Sequence, residues 1–445
     1  MFGKLLIANR GEIAVRISTV ARALGVRTVA VYSEADRDAP HVRAADEAVL
    51  IGPAPSRESY LKVEAILAAA RATGAEAIHP GYGFLSESAS FARAVADAGL
   101  VFVGPPPSAL ERTGDKAKAR EAARGAGVPV VPGSDGIVES EEAARAAAAR
   151  IGYPILVKAA FGGGGIGMQV AQDEAQLAKA LRASADRAKS AFGQPAVYLE
   201  RYFANPRHVE VQVLADAHGN LVHLFERECS IQRRHQKVVE EAPSVRLVKD
   251  PALAERMYAA ALAAMRAVGY VNAGTVEFLV EGDAFHYIET NARLQVEHPV
   301  TELTTGIPLI EWQLRIASGE KLGFTQSEVT RTGAAIECRV YAEDPVKFFP
   351  SPGKLTRFAP PLGLEGVRVD AGYEEGGTVT PYYDPMIAKL IAWGATRDEA
   401  ADRALAGVAA FHVEGVKTNL PLHQRILASP RFRAGDLDTH FLEKL

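Results

Sequence analysis

Glu277 and Glu289 stand in a stretch, TVEFLVEGDAFHYIETNARLQVEHPVTE (residues 275–302), whose residue types could hold a divalent cation beside an anion. Two β-rich runs meet there at Glu281-Gly282-Asp283, a pattern that predicts a hairpin. With those three residues as the loop, the numbers of cross-strand partners sum to about 564, and the odd positions of both strands share a face. Glu277 is then paired with Tyr287 and Glu289 with Thr275. The two carboxylates become diagonal neighbours at roughly 7–8 Å, a span that two Mg2+ ions with bridging phosphates would fill. Period two continues through Asn291, Arg293 and Gln295, which adds amides and a guanidinium to the same face. Taken alone, the two glutamates fit equally well on an exposed hairpin face with an incidental ion pair.

The next candidates are cations beside glycine-rich turns. Lys158 lies inside the buried-strand pattern of YPILVKAAFGGGGIGMQV, and the glycines after it could turn backbone N–H groups toward phosphate oxygens. Lys116 opens the segment GDKAKAR, where an isolated lysine reads more simply as a solvated charge. Arg227, Arg233, Arg234, His235 and Lys237 crowd into ERECSIQRRHQKVVEEAPS, either a solvated basic loop or an anion site. Arg339 follows Glu337 and Cys338 on a strand pattern, GAAIECRVY, that reads as half-exposed and as the opening of a further strand-rich portion.

The elements that must carry these residues follow from periodicity. KLLIA, RTVAVYSE, EAVLIG, AEAIHPGYG and LVFVGP are short apolar runs separated by helical, Ala-rich stretches, as in a doubly wound parallel sheet that binds ligands at its strand ends. After Gly114 the pattern changes to a nucleotide-binding module, and a C-terminal α+β portion follows residue 331. The 445 residues carry 50 basic and 54 acidic side chains, a net charge of −4 without like-charged blocks, which gives no footprint for nucleic acid or an anionic membrane. No apolar run has the length of a membrane span. Cys229 and Cys338 lack a partner spacing and read as packed thiols of a reducing cytoplasm.

ETNARLQVEHPVTE (289–302) resembles the signature of the biotin carboxylases, members of the ATP-grasp superfamily. GYGFLSE, NPRHVE, ERECSIQRRHQKVVEEAP and the ECR and YAEDP text resemble further segments of that family, so similar text runs from Ile7 to His440. The resemblance implies an N-terminal α/β domain over 1–113, an ATP-grasp domain over 114–317 with a lid at about 131–203, and a C-terminal α+β domain over 331–440. It assigns ATP to Lys116, Lys158, Gly164, Gly165, Glu200, Arg201, Tyr202, Phe203, His208 and His235, with Glu277 and Glu289. It further assigns two Mg2+ ions, replaceable by Mn2+, to Glu277, Glu289 and Asn291, and bicarbonate to Lys237, Arg293, Gln295 and Val296. Glu297 becomes the base, and Tyr82, Gly83, Gln232 and Arg339 the biotin contacts, Arg339 acting on biotin rather than on ATP. Phe161 and Ile166 depart from the family's glycine run, Ile166 standing where a basic residue is usual.

The implied reaction is ATP- and bicarbonate-dependent carboxylation of biotin through carboxyphosphate, the first half-reaction of a carboxylase such as acetyl-CoA carboxylase. No Met-Lys-Met biotinylation motif occurs in the chain, so biotin is expected on a separate biotin carboxyl carrier protein that works with carboxyltransferase subunits. Family members are often homodimers, and the same is expected here. Two rival readings are another ATP-grasp ligase joining a carboxylate to an amine, and a nucleotide sensor without turnover.

Overall fold

The structure, a computed structural model, describes residues 1–134, 136–159, 168–192, 195–234 and 236–445. At the N-terminus the short apolar runs form the expected parallel sheet: β1 (Lys4–Ile7), β2 (Arg27–Ser33), β3 (Glu47–Gly52), β4 (Ala77–His79) and β5 (Val101–Phe102), in the order β3-β2-β1-β4-β5. The strand order reverses at β1, and a crevice opens where chains leave β1 and β4 in opposite directions. The first helix, α1 (Gly11–Ala23), and the loop Pro80–Phe84 start from that point. Asn9 Nδ2 fastens the two by donating to the Pro80 and Tyr82 carbonyls at 2.6 and 2.7 Å. Gly81 is needed there twice over, since its φ is +63° and a Cβ would lie 2.8 Å from Asn9 Nδ2.

A small antiparallel sheet follows, with β6 (Ile155–Ala159) between β7 (Gln169–Ala171) and β8 (Val197–Arg201). Helices Glu141–Ile151 and Glu174–Phe192 accompany it, and Ala144, Ala148, Ile155, Val157, Leu177 and Leu199 close a separate core.

The largest element is an eight-stranded antiparallel sheet. Its strands are β9 (Arg207–Ala215), β10 (Leu221–Arg233), β11 (Gln236–Ala242), β12 (Asn272–Glu281), β13 (Ala284–Asn291) and β14 (Ala334–Tyr341), with strands Met386–Gly394 and Val367–Ala371 beyond. The order is β13-β12-β9-β10-β11-β14, then 386–394 and 367–371. Because β11 pairs with β14, the sheet runs unbroken from the hairpin into the C-terminal portion. Arg339 is therefore not on a half-exposed strand. It lies on an interior strand buried at every position, between β11 and strand Met386–Gly394.

The hairpin register also differs from the expected one. Only Gly282 and Asp283 form the turn, since Glu281 pairs with Ala284 and Gly282 takes φ +59°. Ile288 then bulges from β13 between the pairs Phe278–Tyr287 and Glu277–Glu289. Together the shorter turn and the bulge place Glu277 directly opposite Glu289 and Thr275 opposite Asn291, instead of on a diagonal.

Candidate active site

Like charges directly across a ladder repel, so the pair Glu277–Glu289 requires cations. For Glu277 these are Lys237 and His208. Lys237 reaches from β11 and donates to Glu277 Oε1 at 2.8 Å, Glu297 Oε1 at 2.7 Å and Glu210 Oε2 at 2.5 Å. His208 Nε2 lies 3.0 Å from Glu277 Oε2, at ion-pair distance. Burial alone would push Glu277 up, but Lys237 and His208 outweigh it and hold the carboxyl well below its usual range. Burial likewise opposes the charge on Lys237, and the three carboxylates outweigh it and raise the ammonium well above its ordinary value.

Arg227, without solvent exposure, braces the same group from below. It donates to Glu210 Oε1 at 2.5 Å, Gln212 Oε1 at 2.7 Å, Thr301 Oγ1 at 3.0 Å and Thr275 Oγ1 at 3.1 Å. On the other side Arg339 donates from Nε to Glu240 Oε1 at 2.5 Å and from Nη2 to Glu297 Oε2 at 2.8 Å. Glu297, pushed up by burial, is held well below the usual range by Lys237, Arg339 and Arg227. Arg293 donates to Gln295 Oε1 at 2.8 Å, Asn291 Oδ1 at 3.1 Å and Glu87 Oε2 at 3.0 Å, and Gln295 passes on to Glu277 Oε1 at 3.1 Å. Residues 291–297 thus form a strap whose alternate side chains enter one polar network.

The remaining sequence candidates lie around this core. Lys116 Nζ, largely exposed, is 3.1 Å from Glu289 Oε2. Lys158 on β6 and Arg120 both donate to the buried Glu200 carboxylate on β8, joining the small sheet to the helix Lys116–Gly125. The backbone N–H groups of Arg201 and Tyr202 donate to the Pro132 and Pro154 carbonyls at 2.8 and 2.9 Å, and the Phe203 ring packs on His286. Gln232 turns away from the pocket described next and meets His208 Nδ1 at 2.8 Å. Gly164, Gly165 and His235, with Phe161 and Ile166, lie outside the described residues.

Beside the strap a cavity of about 450 Å3 opens at the crevice of the parallel sheet. Tyr82, Gly83, Arg293, Val296 and Arg339 line it, together with Tyr382, which is half exposed at 52%. Its glutamine is Gln236 rather than Gln232. The cavity therefore brings together the loop after β4, the strap and the interior strand β14, three segments distant in the chain.

Sequence reasoning missed Glu210, Glu240, Arg120 and Glu87, and left Arg227 open between a solvated loop and an anion site. Two of the missed residues had a signal: Arg120 is one helical turn from Lys116, and Glu87 closes the quoted GYGFLSE run. Glu210 and Glu240 sit on strands where an alternating polar residue reads as solvent-facing.

Among the described residues, His208 with Glu210 and Glu277, and Glu210 with Cys229 and Glu297, converge closely enough for a metal ion. The Lys237 ammonium already stands among those carboxylates. Glu289 differs, since among the described residues the cation that pairs with it is the exposed Lys116. Opposed Glu277 and Glu289, with the Asn291 amide oxygen nearby, are hard oxygen donors of the kind Mg2+ takes.

A body sheet, a small sheet carrying a lysine, and opposed carboxylates beside a buried cluster of lysine and arginines are the architecture of an ATP-grasp ligase, and residues 115–325 match the family described as carbamoyl-phosphate synthase L chain, ATP binding domain. Residues 1–110 match the biotin carboxylase N-terminal domain and 337–444 the biotin carboxylase C-terminal domain. The chain is similar to a biotin carboxylase of Halalkalibacterium halodurans, 54% identical over 443 residues, covering 99% of this chain and 97% of the relative. It is similar in structure to the Campylobacter jejuni biotin carboxylase β,γ-ATP complex, with a TM-score of 0.93, 43% identity, and coverage of 100% of this chain and 99% of that one. The biotin carboxylase domain dimer of Hydrogenobacter thermophilus 2-oxoglutarate carboxylase, in complex with MgADP, ADP and bicarbonate, aligns with a TM-score of 0.91 and 46% identity, covering 100% and 98%. The chain belongs to the biotin carboxylase family.

Proposed function

We propose that this biotin carboxylase runs its ATP- and bicarbonate-dependent reaction through the Lys237 network. The observation that carries the reading is the Lys237 ammonium shared by three carboxylates, with Arg293 and Arg339 bonded into the same network. Bicarbonate enters between Lys237 and Arg293, against Gln295 and Val296. Its arrival draws Lys237 from Glu297, which regains basicity and takes the bicarbonate proton. A bicarbonate oxygen bonds to the γ-phosphorus as the bond to ADP breaks, giving carboxyphosphate. That intermediate splits into CO2 and phosphate, the phosphate removes the N1′ proton of biotin, and N1′ bonds to CO2. Arg339 donates to the ureido oxygen while it carries charge.

Glu277, Glu289 and Asn291 would hold Mg2+, which offsets charge on the phosphate oxygens. Lys116, Lys158 and His208 flank the nucleotide. Tyr82 and Gly83 form one wall for biotin, which comes on a biotin carboxyl carrier protein and leaves for a carboxyltransferase subunit. The Hydrogenobacter domain is described as a dimer bound to MgADP and bicarbonate, which supports the same ligands and a homodimer here. Among the described residues no helix is long and apolar enough to cross a membrane, and we place the enzyme in the cytoplasm.

Measuring ATP hydrolysis with and without bicarbonate and free biotin tests the reading. Hydrolysis that responds to an amine but not to bicarbonate would assign the chain to the other ligases, and no turnover at all would make it a sensor.

A further inference from the structure

Lys389 has no solvent exposure, and no step above uses it. It lies on strand Met386–Gly394, directly across from Arg339 on one side and from Asp370 on the other. A buried ammonium is costly unless it is paired and hydrogen-bonded, and its partners here are specific. Nζ donates to the Val296 carbonyl at 2.8 Å and lies 3.2 Å from Glu12 Oε1. Glu12, in the first turn of α1, is itself buried, and the same Oε1 accepts the Tyr82 hydroxyl. Burial opposes the charge on Lys389, but Glu12, Glu337 and Asp370 outweigh it and raise the ammonium above its ordinary value.

The fold is shaped to bring these groups together. Gly372, just beyond strand Val367–Ala371, passes so close to α1 that a Cβ there would lie 2.6 Å from the Glu12 backbone nitrogen. The Val296 carbonyl belongs to the peptide whose nitrogen is that of Glu297, so Lys389 sets the plane of the chain entering the base. Gln295, one residue earlier, is fixed by Arg293 and Glu277. One ammonium therefore reaches the strap on one side and, through Glu12, the Tyr82 wall of the cavity on the other.

We propose that Lys389, with Glu12 as counter-ion, is a positioning residue that ties the bicarbonate strap to the Tyr82 wall, so that the CO2 donor and biotin are held at one separation. The proposal rests on the subsites assigned above. Lys389 acts through Val296 and Tyr82.

Removing Lys389 alone would strand Glu12 and destabilise the fold. The variant to measure is E12Q/K389M, which keeps an acceptor for the Tyr82 hydroxyl and an unbranched side chain at 389 while deleting both charges. A misplacement of about 1 Å costs roughly 10²-fold, so carboxybiotin formation is expected to fall by about that factor. The KM for bicarbonate should rise, and carboxybiotin made per ATP hydrolysed should fall, while the melting temperature stays near that of the unaltered protein. A stable double variant with unchanged yield per ATP and unchanged bicarbonate KM overturns the proposal. So does parallel loss of stability and both activities at unchanged yield per ATP, the signature of a merely structural pair. If the double variant does not fold, Tyr82→Phe severs the wall from Glu12 without disturbing the buried pair; its yield per ATP is expected to fall, and an unchanged yield overturns the link. Absence of bicarbonate-dependent hydrolysis in the unaltered protein overturns the subsite assignment and this proposal with it, and is told apart because no substitution is involved.

Discussion

Arg339 Nη2 stands 2.8 Å from Glu297 Oε2, so the guanidinium assigned to biotin is bonded to the carboxylate assigned to bicarbonate. On the proposed mechanism this contact couples the two half-reactions. Arg339→Ala is expected to lower carboxybiotin formation by about 10²–10³, the effect of one lost oxyanion donor. It also removes a cation that holds Glu297 down. Glu297 should then titrate higher, and the acid limb of bicarbonate-dependent ATP hydrolysis should move to higher pH. A pH–rate profile of the variant without biotin checks this; an unmoved acid limb would take Glu297 out of the role of base.

Glu289→Gln separates metal binding from stability. Among the described residues the only ion pair at Glu289 is with Lys116, whose side chain is 80% exposed, and exposed pairs contribute about 0–1 kcal/mol. The melting temperature should hardly change. ATP turnover should nevertheless collapse, and more severely than nucleotide affinity, because the carboxylate opposite Glu277 is gone. Steady-state rates over a Mg2+ titration decide it, and an unchanged kcat would remove Glu289 from the metal site.

Lys237→Met should have the opposite profile, with a large loss of stability. Breaking a buried ionic group by deleting one partner costs about 3–5 kcal/mol. In the unaltered protein Lys237 is raised, so its contribution is fully present below the unfolded lysine value and is lost only as pH rises through the still higher folded value. In the variant Glu210, Glu277 and Glu297 lose their shared cation and their carboxyls rise. The destabilisation should then be larger at pH 8 than at pH 5, where those carboxyls bind protons in the folded state. Denaturation curves at the two pH values would contradict this if the loss were equal.

The parallel sheet and the Gly282-Asp283 hairpin were legible because both follow local rules: apolar runs between helices, and period two around a glycine turn. The hairpin register was not, because nothing in AFHYIETN marks Ile288 as a bulge or Gly282-Asp283 as the whole turn. The burial of Arg339 was hidden for a different reason. It depends on β11 pairing with β14, strands separated by the hairpin and four helices, and no local pattern announces such a pairing. The same distance hides Glu240, a polar residue that local alternation assigns to solvent although it has no solvent exposure.

Glu240 offers a test that depends on this burial alone. Its Oε1 accepts from Arg339 Nε at 2.5 Å, and its Oε2 is buried without a hydrogen-bond partner among the described residues. Burial pushes the carboxyl up to about 7, against the opposing pull of Arg339. The folded value thus lies above the unfolded one of about 4.3, and the folded state binds the proton more tightly. As pH rises from about 4.3 the unfolded chain ionises first, so stability falls through the window up to about 7 and then levels off. At 1.36 kcal/mol per unit the full loss is on the order of 4 kcal/mol. Glu240→Gln keeps an acceptor for Arg339 and cannot ionise, so its stability should be flat across that window apart from the contributions of other groups. Relative to the unaltered protein it should gain between pH 5 and pH 8, with the gain set by the fraction of the window crossed. Chemical denaturation of both proteins at half-unit intervals reads the difference directly. Parallel curves would mean that Glu240 is ionised throughout, and that Arg339 is held by two charged carboxylates rather than by one charged and one that titrates near neutrality.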